Sequence, residues 1–381
     1  MTIRLVRGAQ QIAFSSKEGK TCFYDTIPAL AESALESLYE SLMCSLDRLK
    51  RHYPLESAKV YLAYDGDVIS SLFIFQIIGR RIVVHNEQIS ISNQELARFV
   101  DSAFKQYPSV SQISFYAIDA DFSKLPFVHH AEECLEDLWM ALPKTRADYM
   151  ASLGKKTSET FKRAEKKLHR DHPSFQMKFL SKEEIGEKHI VALVNFSRLR
   201  MEQKGVSAYH TEDSTMELFA LAKKYGLIGL ALIDGKICGG ILQLRIGSHW
   251  FSHTISHDPT YDTYRLGQLC NLYGLVATIE HGGGVFHFGW GRSEHKYRMG
   301  AQQTDLFKLD IYRSVLSLAR DTQGVTTRVL ASSRRKFKFW VAAHENGGNV
   351  HIAQAIKRLK EIKAMPKVLH SRVRSRTSSM S

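Results

Sequence analysis

Residues 286–300, FHFGWGRSEHKYRMG, place six reactive side chains within seven positions: Arg292, Glu294, His295, Lys296, Tyr297 and Arg298. They follow an apolar run (Val285, Phe286, Phe288) that reads as a strand. Open α/β folds bind ligands beyond the C-terminal ends of strands. A guanidinium fork and a lysine point charge suit a phosphate or carboxylate, and Glu294 is a candidate general base. If the segment is extended, Lys296 and Arg298 point the same way. A solvated charged loop could carry the same residues, so the elements around them matter.

Other polar residues stand where a ligand could reach them. Gln243 and Arg245 alternate with Leu242 and Leu244, so they are expected on one strand face, lining a cleft. His253 and His257 lie four apart in HWFSHTISH and are expected to share a face. With Asp258 they do not make a metal site, because four-residue spacing gathers ligands on helices rather than strands, and no metal is expected. Thr263, Tyr264, Arg265, Leu266, Gly267 and Gln268 open a helical run. Unpaired N–H groups and the helix dipole favour an anion there; Gly267 permits close backbone approach and Arg265 adds charge. Glu294, His295, His253, His257, Tyr264 and Tyr297 are the proton-transfer candidates, and the sequence does not rank them.

The elements that must hold these residues come in two similar sets. KVYLAYDGDVISSLFIFQI (59–77) and GLALIDGKICGGILQLRI (229–246) each read as strand, Asp-Gly turn and longer strand, and Asp-Gly suits a type I′ hairpin. Each is followed by a third strand, a helical run (93–107; 266–283, the latter ending on glycines) and a further strand, at nearly equal spacing. This predicts a tandem duplication of one α/β unit. Between the copies, residues 146–170 have a sparse apolar face and read as one or two exposed helices, with Gly154 a break. Further helices are predicted over 186–203 and 350–363, the latter amphipathic. Gly282, Gly283 and Gly284 read as a helix stop and not a phosphate loop, since a strand follows them.

The net charge is +13, but Arg334–Ser381 carries twelve Lys/Arg against two Glu, so the body is nearly balanced. The tail is expected to be partly disordered and able to touch an anionic membrane surface or an acidic partner. No apolar run approaches the ~20 residues of a membrane span, and the N-terminal residues lack the apolar segment of a signal peptide. The five cysteines are widely spaced, which fits free thiols in a reducing compartment, and Cys238 reads as a core residue. A cytoplasmic location is expected, peripheral at the inner face of the membrane if the tail engages it.

The order hairpin, strand, helix, strand, with Gly267 at the second helix start, resembles the GNAT N-acyltransferase fold. Three stretches, YMASLGKKTSETFKRAEKKL, YDTYRLGQLCNLYGLVATIEHGG and FHFGWGRSEHKYRMGA, resemble the tandem-GNAT acyltransferases of the CelD-like group of cellulose and exopolysaccharide biosynthesis, relatives of the FemABX transferases. The likeness is carried by residues 145–315. The chain departs from the group's pattern at His287, where an acid is usual, at His295, where Tyr is usual, and at Ser158 or Glu159, where Arg is expected.

The resemblance implies an α/β (α+β) protein of two tandem GNAT-like domains, with mixed, mostly antiparallel sheets and flanking helices. Residues 1–145 would form a first domain that does not bind CoA, because Ser92–Glu95 lacks the glycine and carries an acid. Residues 146–330 would form the acyltransferase domain and 331–381 a basic extension. Acetyl-CoA or a longer acyl-CoA would be the donor, held by Gln243, Tyr264, Arg265, Gly267 and Gln268, with its thioester along Gly240–Ile246. Glu294, Lys296, Tyr297 and Arg298 would serve transfer, and Arg292, His253 and Arg245 the acceptor, an amine, amino sugar or polysaccharide precursor. Two alternatives remain: a FemABX-like transferase using aminoacyl-tRNA, the one nucleic acid expected, or an inactive GNAT pair that only binds.

Overall fold

The computed structural model describes residues 11–16, 19–203 and 212–345. The helix expected over 350–363 and the basic tail lie outside the described residues. The chain divides into two compact units, Met1–Arg320 and Asp321–Ser381.

In the first unit, the strands of the described residues form one sheet. The first half contributes β1 (Gln11–Ser16), β2 (Gly19–Tyr24), β3 (Lys59–Asp65), β4 (Val68–Ile78), β5 (Arg81–Val84), β6 (Ile89–Ser90), β7 (Gln112–Asp119) and β8 (Val128–Ala141). The second contributes β9 (Gln176–Ser181), β10 (Gly226–Ile233), β11 (Lys236–Ile246), β12 (His249–His257), β13 (Val285–His287) and β14 (Gln302–Tyr312). The helices are α1 (Ala31–Tyr39), α2 (Leu46–His52), α3 (Asn93–Gln106), α4 (Arg146–Ser152), α5 (Lys155–Asp171), α6 (Glu187–Gln203), α7 (Glu212–Tyr225), α8 (Leu266–Glu280), α9 (Glu294–Arg298) and α10 (Val315–Arg320). In the second unit, α11 (Thr322–Glu345) occupies the start of the expected extension.

The duplication is visible in the pairing. β3–β4 and β4–β5 are antiparallel and β5–β7 parallel. Likewise β10–β11 and β11–β12 are antiparallel and β12–β13 parallel. In both copies the crossover from third to fourth strand carries a helix, α3 or α8, as a parallel connection requires. The hairpin turns differ. Asp234-Gly235 has positive φ at both residues, as a type I′ turn needs. In the first copy Asp65 pairs with Val68, so the loop is Gly66-Asp67, and only Gly66 has positive φ. The sequence expectation of a type I′ turn there is therefore corrected.

The last strand of each copy belongs to the other half. β8 follows β7 in sequence yet pairs with β13, and β14 follows β13 yet pairs with β7. The two exchanged strands pair with each other from Gln302↔Trp139 to Tyr312↔Val128. Leu309 and Ile311 of β14 are buried in the first half's core with Phe99 and Phe115. Leu138 and Met140 of β8 are buried in the second half's core with α8. The buried Asp310 carboxylate on the seam accepts hydrogen bonds from Gln112 Nε2 (2.9 Å) and Ser114 Oγ.

Full burial of an aliphatic side chain contributes roughly 1.5–3 kcal/mol, and its loss adds a cavity term. Leu309→Ala is expected to cost about 2–5 kcal/mol. Hydrogen exchange should show β3, β4 and β7 losing protection before β10–β12, although residue 309 lies far along the chain from the first half.

Candidate active site

The first helix turns of α5 and α8 meet α9 around a cleft of about 260 Å³, lined by Lys156, Thr157, Thr160, Arg265, Gln268 and His295, with Phe161, Glu294 and Arg298 completing it. Neither α5 (N-cap Gly154) nor α8 (N-cap Arg265) has a side-chain cap. The first N–H groups of a helix have no intrahelical partner, and with the dipole they favour an anion. Three cationic side chains, Lys156, Arg265 and Arg298, stand at the same cleft. Arg265 has a left-handed φ of 56°, uncommon outside glycine.

Beside this cleft the sheet opens. β12 and β13 pair only from His249↔Val285 to Phe251↔His287. Beyond that, β12 continues to His257, while Phe288 N–H donates to Leu138 O of β8. The register of β11 against β12 slips between Leu242 and Gln243, leaving His253 as the extra residue between Ser252 and Thr254. The bulge falls at His253, so the two histidines have different surroundings. His253 is exposed, while His257 is buried under α8. The first half is closed at the corresponding place: β6 pairs with β7 (Ile89↔Ile118), and α3 is capped by Ser92 Oγ accepting from Glu95 N–H. Glu95 there is paired with buried Arg98.

The segment 294–298 is helical rather than extended, which corrects the expectation that Lys296 and Arg298 point the same way. Met299 anchors it: the residue is fully buried, its carbonyl accepts from Tyr149 OH (3.2 Å), and its sulfur lies 3.3 Å from Asn271 Nδ2. Gly289 and Gly291 have positive φ, and the turn they make wraps the Lys296 ammonium, which donates to Gly289 O (2.9 Å) and Trp290 O (2.6 Å). Burial holds the Lys296 pKa down to about 8, with Asp137 opposing. His295 is also lowered, by burial and then by Arg298, Lys296 and Arg265, so its ring is neutral near pH 7 and can accept a proton.

The structure therefore gathers Arg265, Gln268, Glu294, His295 and Arg298 in one cleft, with Lys296 beside it. Other residues singled out in the sequence stand elsewhere. Gln243 is fully buried and donates to Thr278 Oγ1 (2.8 Å) under α8, so this stretch of β11 is covered rather than lining an open cleft. Arg245 stacks over Trp250 and donates to Gly247 O. Arg292 pairs with Asp305 (3.1 Å), and Tyr297 OH donates to Gln303. Tyr264 packs on His172 beneath Lys167. Glu294 pairs with Arg298. Gly267 has a packing reason: a Cβ there would lie 2.9 Å from His257 Nδ1, and His257 Nε2 is bonded to Asp262 (2.7 Å) in the loop before α8. Lys156, Thr157 and Thr160 were not singled out as lining residues, although GKKTSET, a glycine followed by lysines and hydroxyls at a helix start, was a signal for it. Cys238 is buried as expected, its thiol pushed up to about 12 by burial. Among the described residues no helix is long and apolar enough to cross a membrane.

Residues 155–297 match the family model of the acetyltransferase (GNAT) domain, a span that begins and ends at the cleft-forming helices. Among solved structures, the chain is similar to FemX, with a TM-score of 0.54, 11% identity, and coverage of 73% of this chain and 94% of FemX. It is also similar to L-PGS from Bacillus licheniformis, with a TM-score of 0.48, 14% identity, and coverage of 81% and 96%. No curated protein matches the chain. The fold is GNAT-like, a mixed α/β sheet with flanking helices built from two similar halves.

A glycine-to-alanine change inside a helix ordinarily gains up to about 1 kcal/mol. Gly267→Ala is expected to lower the melting temperature instead, and the added change His257→Ala should recover part of the loss. For Lys296, competitive amine labelling should give half-maximal reactivity near pH 8 rather than near the ordinary 10.5.

Proposed function

We propose that the second half transfers an acyl group from acyl-CoA, acetyl or longer, to an amine or hydroxyl acceptor. The observation that carries this reading is the convergence of two uncapped helix starts and three cationic side chains on one cleft, beside an opening in the sheet. A diphosphate carries the charge and size such a cleft suits. In direct transfer the acceptor's lone pair attacks the thioester carbonyl, the new bond forms as the C–S bond breaks, and the acceptor loses a proton while the thiolate gains one. Lys296, with its pKa near 8, is suited to give that proton. His295, neutral at pH 7, is suited to accept one. The first half does not bind CoA in this reading, since Glu95 and Arg98 occupy the corresponding helix start.

One observation favours a second donor. Lys155, Lys156, Lys162, Arg163, Lys166 and Arg170 are exposed along α5, a basic face that could meet the phosphates of aminoacyl-tRNA. Binding by that face would weaken steeply with salt. The acceptor class suggested by the CelD-like resemblance, an amino sugar or polysaccharide precursor, belongs to the same proposal, as does contact of the basic tail with an anionic surface.

Melting the full chain with acetyl-CoA or a long-chain acyl-CoA tests this. At about 100 times its dissociation constant a ligand adds about 2.7 kcal/mol, and Arg265→Glu should abolish the shift. No shift with either thioester would overturn the acyl-CoA reading.

A further inference from the structure

A second cavity, of about 340 Å³, lies on the other side of β12, where the two halves exchange strands. Phe251 faces it, while the neighbouring Trp250 packs in the core with α8. Its walls come from every part of the first unit. Tyr39, Glu40, Gln88 and Asp119 belong to the first half, and His249, Phe251 and His287 to the second. Asp137, Trp139, Thr304 and Leu306 stand on the exchanged strands. The cavity therefore exists only when both halves are assembled.

A chain of titratable groups runs along one wall. His287 Nδ1 lies 2.8 Å from Asp137 Oδ2, His287 Nε2 lies 3.0 Å from His249 Nδ1, and His249 Nε2 lies 3.4 Å from Glu40 Oε2. Phe251 stacks on the His287 ring at 4.4 Å and 8°, which fixes its plane. Glu40 is held by Ser248, whose N–H (2.6 Å) and hydroxyl (3.2 Å) both donate to it. Counting protons decides what the chain can do. Each neutral imidazole carries one proton, so two neutral rings fill the Asp137–His287 and His287–His249 contacts. The third contact, His249 Nε2 to Glu40, is then without a proton. The chain holds one further proton, and its open end faces Glu40.

The rest of the lining says what would bring that proton. Asp119 makes no side-chain hydrogen bond or ion pair among the described residues, and the carboxamide nitrogen of Gln88 is a buried donor without a partner. Glu40, Asp119 and Asp137 make the cavity anionic, while Tyr39, Trp139, Phe251 and Leu306 make its walls apolar. Lys296 is directed elsewhere, donating to Gly289 O and Trp290 O, although Asp137 acts on it electrostatically. Burial and then His287 keep His249 neutral near pH 7, against the pull of Glu40 and Asp137.

We infer that this cavity binds a primary ammonium carried on an apolar body, and that the His249–His287 pair, held between Glu40 and Asp137, accepts a proton from it. The ammonium donates into the gap between His249 Nε2 and Glu40, and its apolar body lies against Trp139 and Phe251. As the proton passes to His249 the nitrogen keeps its lone pair and becomes a nucleophile. The binding step stands on this cavity alone. Naming the amine as the acceptor of acyl transfer rests on the function proposed above.

The test is a saturation-transfer NMR titration of the full chain with phenethylamine and with its N-acetyl derivative, without CoA. Phenethylamine is expected to bind at least about tenfold more tightly, equivalent to about 1.4 kcal/mol. Asp119→Asn and His249→Gln should each remove most of that preference while leaving the acyl-CoA melting shift intact. Binding should also weaken as pH falls and His249, which faces Glu40, His287 and Asp137, takes up a proton. Equal binding of the two probes, or an unchanged preference in Asp119→Asn, would overturn the inference, and this conservative variant decides the matter should His249→Gln fail to fold. Amine selectivity without an acyl-CoA shift would keep the amine site and discard the acyl-CoA reading; the reverse result would discard the amine site alone.

Discussion

The pairing of β14 with β8 along Gln302–Tyr312 and Val128–Ala141 is the constraint on which the rest of the first unit depends. Each strand completes the sheet of the half to which it does not belong in sequence. A strand edge left bare exposes a row of unpaired N–H and C=O groups, and the exchange removes two such edges at once. It also seats Leu309 and Ile311 in one core and Leu138 and Met140 in the other, so the halves share apolar burial as well as hydrogen bonds. The second cavity lies on this seam because only there do side chains from both copies and both exchanged strands meet.

The two copies share a topology and differ at one decisive place. The loss of pairing between β12 and β13 after Phe251 opens the sheet in the second copy. In the first copy β6 fills the equivalent space, and Ser92, Glu95 and Arg98 satisfy one another at the start of α3. A helix start that caps itself offers little to a ligand, whereas α8 begins at an uncapped Arg265 with His257 packed under Gly267. The two copies thus differ at one helix start, which is self-capped in the first and uncapped in the second.

α9 borders the basic cleft. Met299 fixes its C-terminal end in the core, and the Gly289–Gly291 turn wraps Lys296. His295 and Arg298 line the basic cleft, while Lys296 senses Asp137 at the anionic cavity. The electrostatic contrast is sharp: cations and helix starts on one side, three carboxylates and two imidazoles on the other. A donor with phosphates and an acceptor with an ammonium would each be drawn to a different side of the opening.

Much of this was legible in the sequence. The period of the apolar residues and the turn signals located both copies, because strand and helix periodicities are local properties. The helix start at Arg265–Gln268 and the cluster at 292–298 could be recognised from residue type alone. What the sequence could not decide was set by contacts between distant residues. His253 is exposed at a bulge while His257 is buried under α8, and residues 294–298 form a helix whose end Met299 anchors. Gly267 proved to make room for His257, and Gln243 was covered by Thr278. Lys156 joined the cleft from α5, and Glu40, Asp137, His249 and His287 came together from four separate elements. Composition and periodicity determine which elements form, but a site assembled across an exchanged strand depends on the register of pairings between residues more than a hundred positions apart, and only the folded sheet fixes that register.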